Sequence, residues 1–123
     1  MQVWTEEQVM IRDMAAGLLE EKAPVSALRA LRDDGAALGY DKGLMGEMAG
    51  MGWFGMLIGE EAGGVDMGAM AAGLVAEEMG RRLTASPFLS SGVLAAAALR
   101  AARGDGQARR RAAVHHTVRR AEA

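Results

Sequence analysis

Behind Thr5-Glu6-Glu7-Gln8, apolar side chains recur at Met10, Ile11, Met14, Ala15, Leu18 and Leu19. These three- and four-residue steps predict an amphipathic helix. Thr5 offers a hydroxyl to an orphan amide and Gln8 reciprocates three residues on, the pattern of a capping box. The helix is expected to end near Lys22, because Pro24 disfavours helical backbone in the residue before it. A second short helix runs from about Ser26, with Leu28 and Leu31 on one side, Arg29 and Arg32 on the other, and Gly35 as its stop. Asp41 caps a third helix, which turns Leu44, Met45 and Met48 inward and ends at Gly50 and Gly52. The run Trp53-Phe54-Gly55-Met56-Leu57-Ile58 is too short for a typical helix. It reads as either a strand-like core segment or a buried connection. Glu60-Glu61-Ala62-Gly63-Gly64 forms a loop, followed by a fourth helix from about Asp66 to Arg82 lined by Met70, Leu74, Val75 and Met79. Thr84-Ala85-Ser86-Pro87 breaks that helix, and a fifth, Ala-rich helix spans about Ser91 to Arg103. The fold class is all-α: an orthogonal bundle of about five helices.

Composition narrows this picture. The chain has 123 residues, room for one ordinary domain. Half the residues count as hydrophobic, yet 25 are alanine and 17 more are glycine, so the apolar content carries little area to bury. The ten methionines sit mainly at inward positions, where core packing outranks a Met-rich groove. With no cysteine there is no disulfide scaffold, zinc knuckle or thiol nucleophile. No apolar run approaches the roughly 18 residues of a membrane span. Acidic residues near Met1 do not resemble a signal peptide, so the default localisation is cytoplasmic.

Charge divides the chain. Residues 1–99 carry a net −7 and residues 100–123 a net +5. The expected organisation is a helical domain over 1–103 and a basic, Arg-rich tail over 104–123, solvated and partly disordered. Nucleic-acid binding by Arg109, Arg110, Arg111, Arg119 and Arg120 is the less favoured reading, since no aromatic is interleaved for base stacking.

Candidate chemistry is sparse. The pairs Glu6-Glu7, Glu20-Glu21 and Glu77-Glu78 lie on helices, where adjacent side chains diverge by about 100° and cannot serve one substrate. Glu77-Glu78 and Arg81-Arg82 instead make four-residue ion pairs. Glu60-Glu61 sits in a Gly-rich loop, where fixing the loop outranks acting as a base. His115-His116 has no further His or Cys to complete a metal site. Gly63-Gly64 lacks dinucleotide-fingerprint spacing, and Ser86, Ser90 and Ser91 have no upstream histidine to activate them. No catalytic, metal or self-sufficient cofactor site emerges.

Six stretches carry a family resemblance. Thr5-Glu6-Glu7-Gln8 opening a helix with Arg12-Asp13, and Gly39-Tyr40-Asp41 before the third helix, resemble the start of many acyl-CoA dehydrogenases. Gly52-Trp53-Phe54-Gly55, Glu60-Glu61-Ala62-Gly63-Gly64 and Glu77-Glu78-Met79-Gly80-Arg81 then follow in family order, as does Ser86-Pro87-Phe88-Leu89-Ser90. The resemblance spans about Thr5 to Gln107 and is to the helical N-terminal domain alone. Met45, Gly59 and Ala62 depart from it, standing where an aromatic, a proline and another aromatic are usual. The resemblance implies FAD-dependent α,β-dehydrogenation of acyl-CoA thioesters by the whole enzyme. It places Phe88, Leu89 and Ser90 near the wall of the acyl cavity, while the catalytic base and main flavin contacts have no counterpart. The expectation is a truncated dehydrogenase, inactive alone, assembled as a homo-oligomer or with a partner chain supplying the missing domains. The alternative is a non-catalytic helical interaction module that docks on a partner chain.

Overall fold

The computed structural model describes residues 3–35 and 37–104. Helices α1 (Glu6–Lys22), α2 (Val25–Asp33), α3 (Lys42–Gly50) and α4 (Gly68–Arg81) appear in chain order, and α5 opens with a π-helical stretch, Phe88–Ala95. Its coil continues as α-helix over residues 96–104. Among the described residues there is no strand, so the all-α class holds.

The capping box forms as expected. The Gln8 amide donates to Thr5 Oγ1 at 3.1 Å and the Thr5 amide to Gln8 Oε1 at 3.0 Å. α1 ends at Ala23, before Pro24. Asp41 caps α3 by accepting from the Gly43 amide at 2.8 Å. α3 stops where Gly52 turns to φ 81°, a left-handed value that glycine takes without Cβ strain.

α1 and α4 form the principal helix pair. Ala15, Leu19 and Ala23 recur every four residues on α1, and Ala71, Ala72, Val75 and Met79 form the buried face of α4. Small residues let the two backbones approach, so a core thin in side-chain volume still closes. Leu19, Met48, Met56 and Val75 are the largest fully buried side chains. The run after α3 is the buried connection rather than a strand: Trp53–Gly55 makes one 3₁₀ turn. Trp53 and Met56 are plugged into the core, because a tight turn can bury both where a lone strand would find no partner.

The inward assignment of methionine holds only in part. Met48, Met56 and Met79 are buried, whereas Met10, Met14 and Met70 are exposed. The apolar stripe of α1 is wider than its contact with α4, so its flank is left outside.

Candidate functional site

The segment joining α4 to α5 gathers the residues that the sequence points to. Leu83 takes φ 52°, a left-handed value uncommon for leucine, and reverses the chain after α4. The Thr84 amide donates to the Met79 carbonyl at 3.0 Å, tying the reversal to the helix it leaves. Ser86 Oγ accepts from the Phe88 amide at 3.2 Å and contacts Met79 Sδ at 3.8 Å. Ser86-Pro87 thus starts α5 three residues earlier than the periodicity predicts. The missed signal is chemical: Ser86 takes the Phe88 amide across Pro87, the N-cap, and proline gives up only an amide that no helical carbonyl would receive.

Phe88 is buried, with its ring edge-on to Phe54 at 6.2 Å and 62°. A Cβ on Gly92 would meet the Phe88 ring at 3.1 Å and the Trp53 carbonyl at 3.5 Å, so glycine there seats α5 on the 53–55 turn. Leu89 points outward and is exposed. Phe88 and Leu89 line one 240 Å³ hollow together with Met79, Leu83, Thr84 and Ser86. Ser90 stands apart from it, its hydroxyl donating to the Pro87 carbonyl at 3.1 Å as part of the helix start. The structure therefore brings together two of the three expected residues.

Sequence reasoning missed Thr84. Its Oγ1 is buried without a hydrogen-bond partner among the described residues. An unsatisfied hydroxyl costs about 1–3 kcal/mol. Nothing in the sequence marks it, because Thr84 reads there only as part of a helix breaker. Leu83 and Thr84 also line a 380 Å³ hollow beneath α2. A third hollow, of 440 Å³, lies between α5 and the 57–66 segment, lined by Leu57, Ile58, Glu61 and Asp66 on one side and Arg100 and Arg103 on the other.

The acidic pairs differ in their surroundings. Glu60 and Glu61 are exposed on a 3₁₀ turn. Glu78 is buried but committed to two arginines, at 3.2 Å to Arg82 and 3.3 Å to Arg81. Among the described residues no cluster of His, Cys, Asp or Glu could hold a metal ion. His115-His116 and the arginines from Arg109 onward lie outside the described residues.

The glycine loop does not fit a flavin pyrophosphate. The amides of Ala62 and Gly63 donate to Gly59 and Glu60, that of Gly64 to Gly59, and that of Val65 to Gly55. A Cβ at Gly64 would collide with the Ile58 carbonyl. The Ala62–Val65 stretch is closed on its own backbone, so these four amides are not free to cradle a phosphate.

These features agree with what the chain is similar to. The acyl-CoA dehydrogenase IpdE2 of Mycobacterium tuberculosis is 35% identical over 104 residues, which is 84% of this chain. The chain spans about a third of that relative's length (32%). No solved structure matches. The family described as acyl-CoA dehydrogenase, N-terminal domain, matches residues 5–113. By that match, which covers most of the sequence, the chain belongs to the acyl-CoA dehydrogenase N-terminal domain family.

Proposed function

We propose that this domain forms one wall of the acyl-CoA and flavin cavity of an acyl-CoA dehydrogenase-like flavoprotein and is inactive alone. The observation that carries the reading is the start of α5. A buried Phe88 backs an exposed Leu89, and neither an acid nor a base stands among the residues lining their hollow. Such a surface can position an acyl chain and exclude water, but it cannot remove a proton.

The reaction assigned to the whole enzyme is FAD-dependent α,β-dehydrogenation of an acyl-CoA thioester, as part of fatty acid metabolism. FAD would supply hydride acceptance. In this reading the flavin and the base belong to domains of a longer protein, of a homo-oligomer or of a partner chain. We divide the chain into the helical domain, 1–103, and the basic segment, 104–123, and place its work in the cytoplasm. Among the described residues no helix is long and apolar enough to cross a membrane.

Methyl-resolved NMR with octanoyl-CoA tests the wall. Shifts centred on Leu89 and the ring of Phe88 are expected. Saturable shifts elsewhere, with these two unmoved, would defeat the reading. An absorbance spectrum tests inactivity: the chain alone should retain no flavin and reduce no dye with acyl-CoA.

A second reading, a helical module docking on a partner chain, draws on Leu89, Leu94 and Leu99, each more than 60% exposed along α5. Large exposed apolar side chains gathered on one element mark interaction surfaces. A monodisperse monomer at high concentration, by sedimentation, would count against it.

A further inference from the structure

We propose that the start of α5 is a register switch, which exchanges Arg100 and Arg103 for Leu99 on the wall of the 440 Å³ hollow as its π-helical turns pass to α-helix. The π stretch runs for eight residues, Phe88–Ala95. π-helix is rare, mostly confined to single-turn bulges, and frequent at functional sites. In a plain α-helix opened at Phe88, positions 88, 92, 95 and 99 fall on one face. The structure instead buries Phe88, Gly92 and Ala96, and leaves Ala95 and Leu99 exposed. The wider π turn has taken up one residue. Continued at α spacing from Ala96, the same face runs on to Arg100 and Arg103, and both line the hollow. Spacing along the sequence thus favours a leucine on this face where the structure has arginines.

Both bonding patterns are within reach. At the entrance the Ser91 amide donates to the Pro87 carbonyl at 2.9 Å, the four-residue span of an α-helix. At the exit the Ala96 amide donates three residues back, to Val93, and α-helix follows. The anchors need not break, because residues 88 and 92 share a face in either pattern. Phe88 stays edge-on to Phe54, and Gly92 stays against the Trp53 carbonyl. Only the downstream half turns, carrying Leu99 toward Leu57 and Ile58. Burial of that leucine offsets the removal of the arginines from a wall that also holds Glu61 and Asp66. Apolar burial therefore favours one state and charge complementarity the other. The inference rests on helix geometry and not on the acyl-CoA reading.

Helix register shifts fall on the μs–ms timescale, where NMR relaxation dispersion on the full chain detects them. Amides from Gly92 to Arg103 are expected to exchange at one common rate. Leu99→Gln removes the burial that favours the α pattern, and should lower the minor-state population about tenfold. Leu94→Gln is the control: residue 94 lies off the buried face in both patterns, so the population should not change. Deleting Ala95 lets a plain α-helix keep Ala96 and Arg100 on the present face, and should abolish the exchange. The glutamine variants, both at exposed positions, carry the test if the deletion does not fold. Flat dispersion profiles overturn the proposal, as does exchange confined to the last turn. Equal effects of the two glutamine variants, or exchange that survives the deletion, overturn it too.

Discussion

Glycine does opposite things at two positions of this chain. Gly64 lies so close to the Ile58 carbonyl that any Cβ would overlap backbone atoms, which cannot swing aside as a side chain could. Gly64→Ala should therefore destabilise by about 2–3 kcal/mol, read from the midpoint of chemical denaturation. Gly17, in the middle of α1, has nothing within 4 Å of the same added atom. There alanine relieves only the entropy that glycine loses in a helix, so Gly17→Ala should stabilise by about 0.5–1 kcal/mol. Neighbouring glutamates divide in the same way. Glu77 meets Arg81 at 2.7 Å in solvent, and Glu77→Ala should cost no more than about 0.5 kcal/mol. Glu78 is buried between Arg81 and Arg82; removing it leaves the half-buried Arg82 only the exposed Glu20 at 4.0 Å, and Glu78→Ala should cost about 1–2 kcal/mol. The sequence shows both as four-residue pairs; which one is buried depends on the rotation of α4 against α1.

The elements differ in how firmly they are held, and this governs how legible each was. α1 and α3 read well because their ends are written in local chemistry, a capping box and an Asp41 cap. α2 reads well as a helix but gives no hint of its loose seat over a hollow, which depends on partners far along the chain. Its amides should exchange with solvent well before those of α1 and α4, as native-state hydrogen exchange would measure. Equal protection in all three would contradict the burial pattern. The start of α5 went unread because hydrophobic spacing located its first helical turn later than the Ser86-Pro87 cap does. Of the three residues that family order suggests, Phe88 and Leu89 share one hollow and Ser90 does not. The Thr84 hydroxyl was not legible, since burial of one oxygen is a tertiary outcome with no local pattern.

At the scale of the whole molecule, the described residues form an all-α domain whose last helix is apolar on its outside. Ala96 faces the core, while Leu94 and Leu99 stand in solvent among alanines. Large apolar side chains gathered in solvent on one helix are normally covered by a partner surface. Replacing Leu94 and Leu99 together by glutamine should leave the denaturation midpoint within about 0.5 kcal/mol of the parent, because neither is buried. The same change should lower self-association by sedimentation velocity. A large loss of stability would mean that these leucines pack inward. Family membership fits this surface, since a domain spanning about a third of its relative has faces that other parts of such an enzyme can cover.

The pairing of α1 with α4 also sets an order of events during synthesis. Leu19 and Val75 are both fully buried, yet more than fifty residues of chain separate them. Closing so long a loop costs entropy before any contact repays it, and contacts between distant segments slow folding. A ribosome that has released only the first three helices presents Ala15 and Leu19 without α4, the principal partner of their helix. The core is therefore assembled late, when α4 emerges, and this chain should fold more slowly than a helical bundle whose neighbours in space are neighbours in sequence.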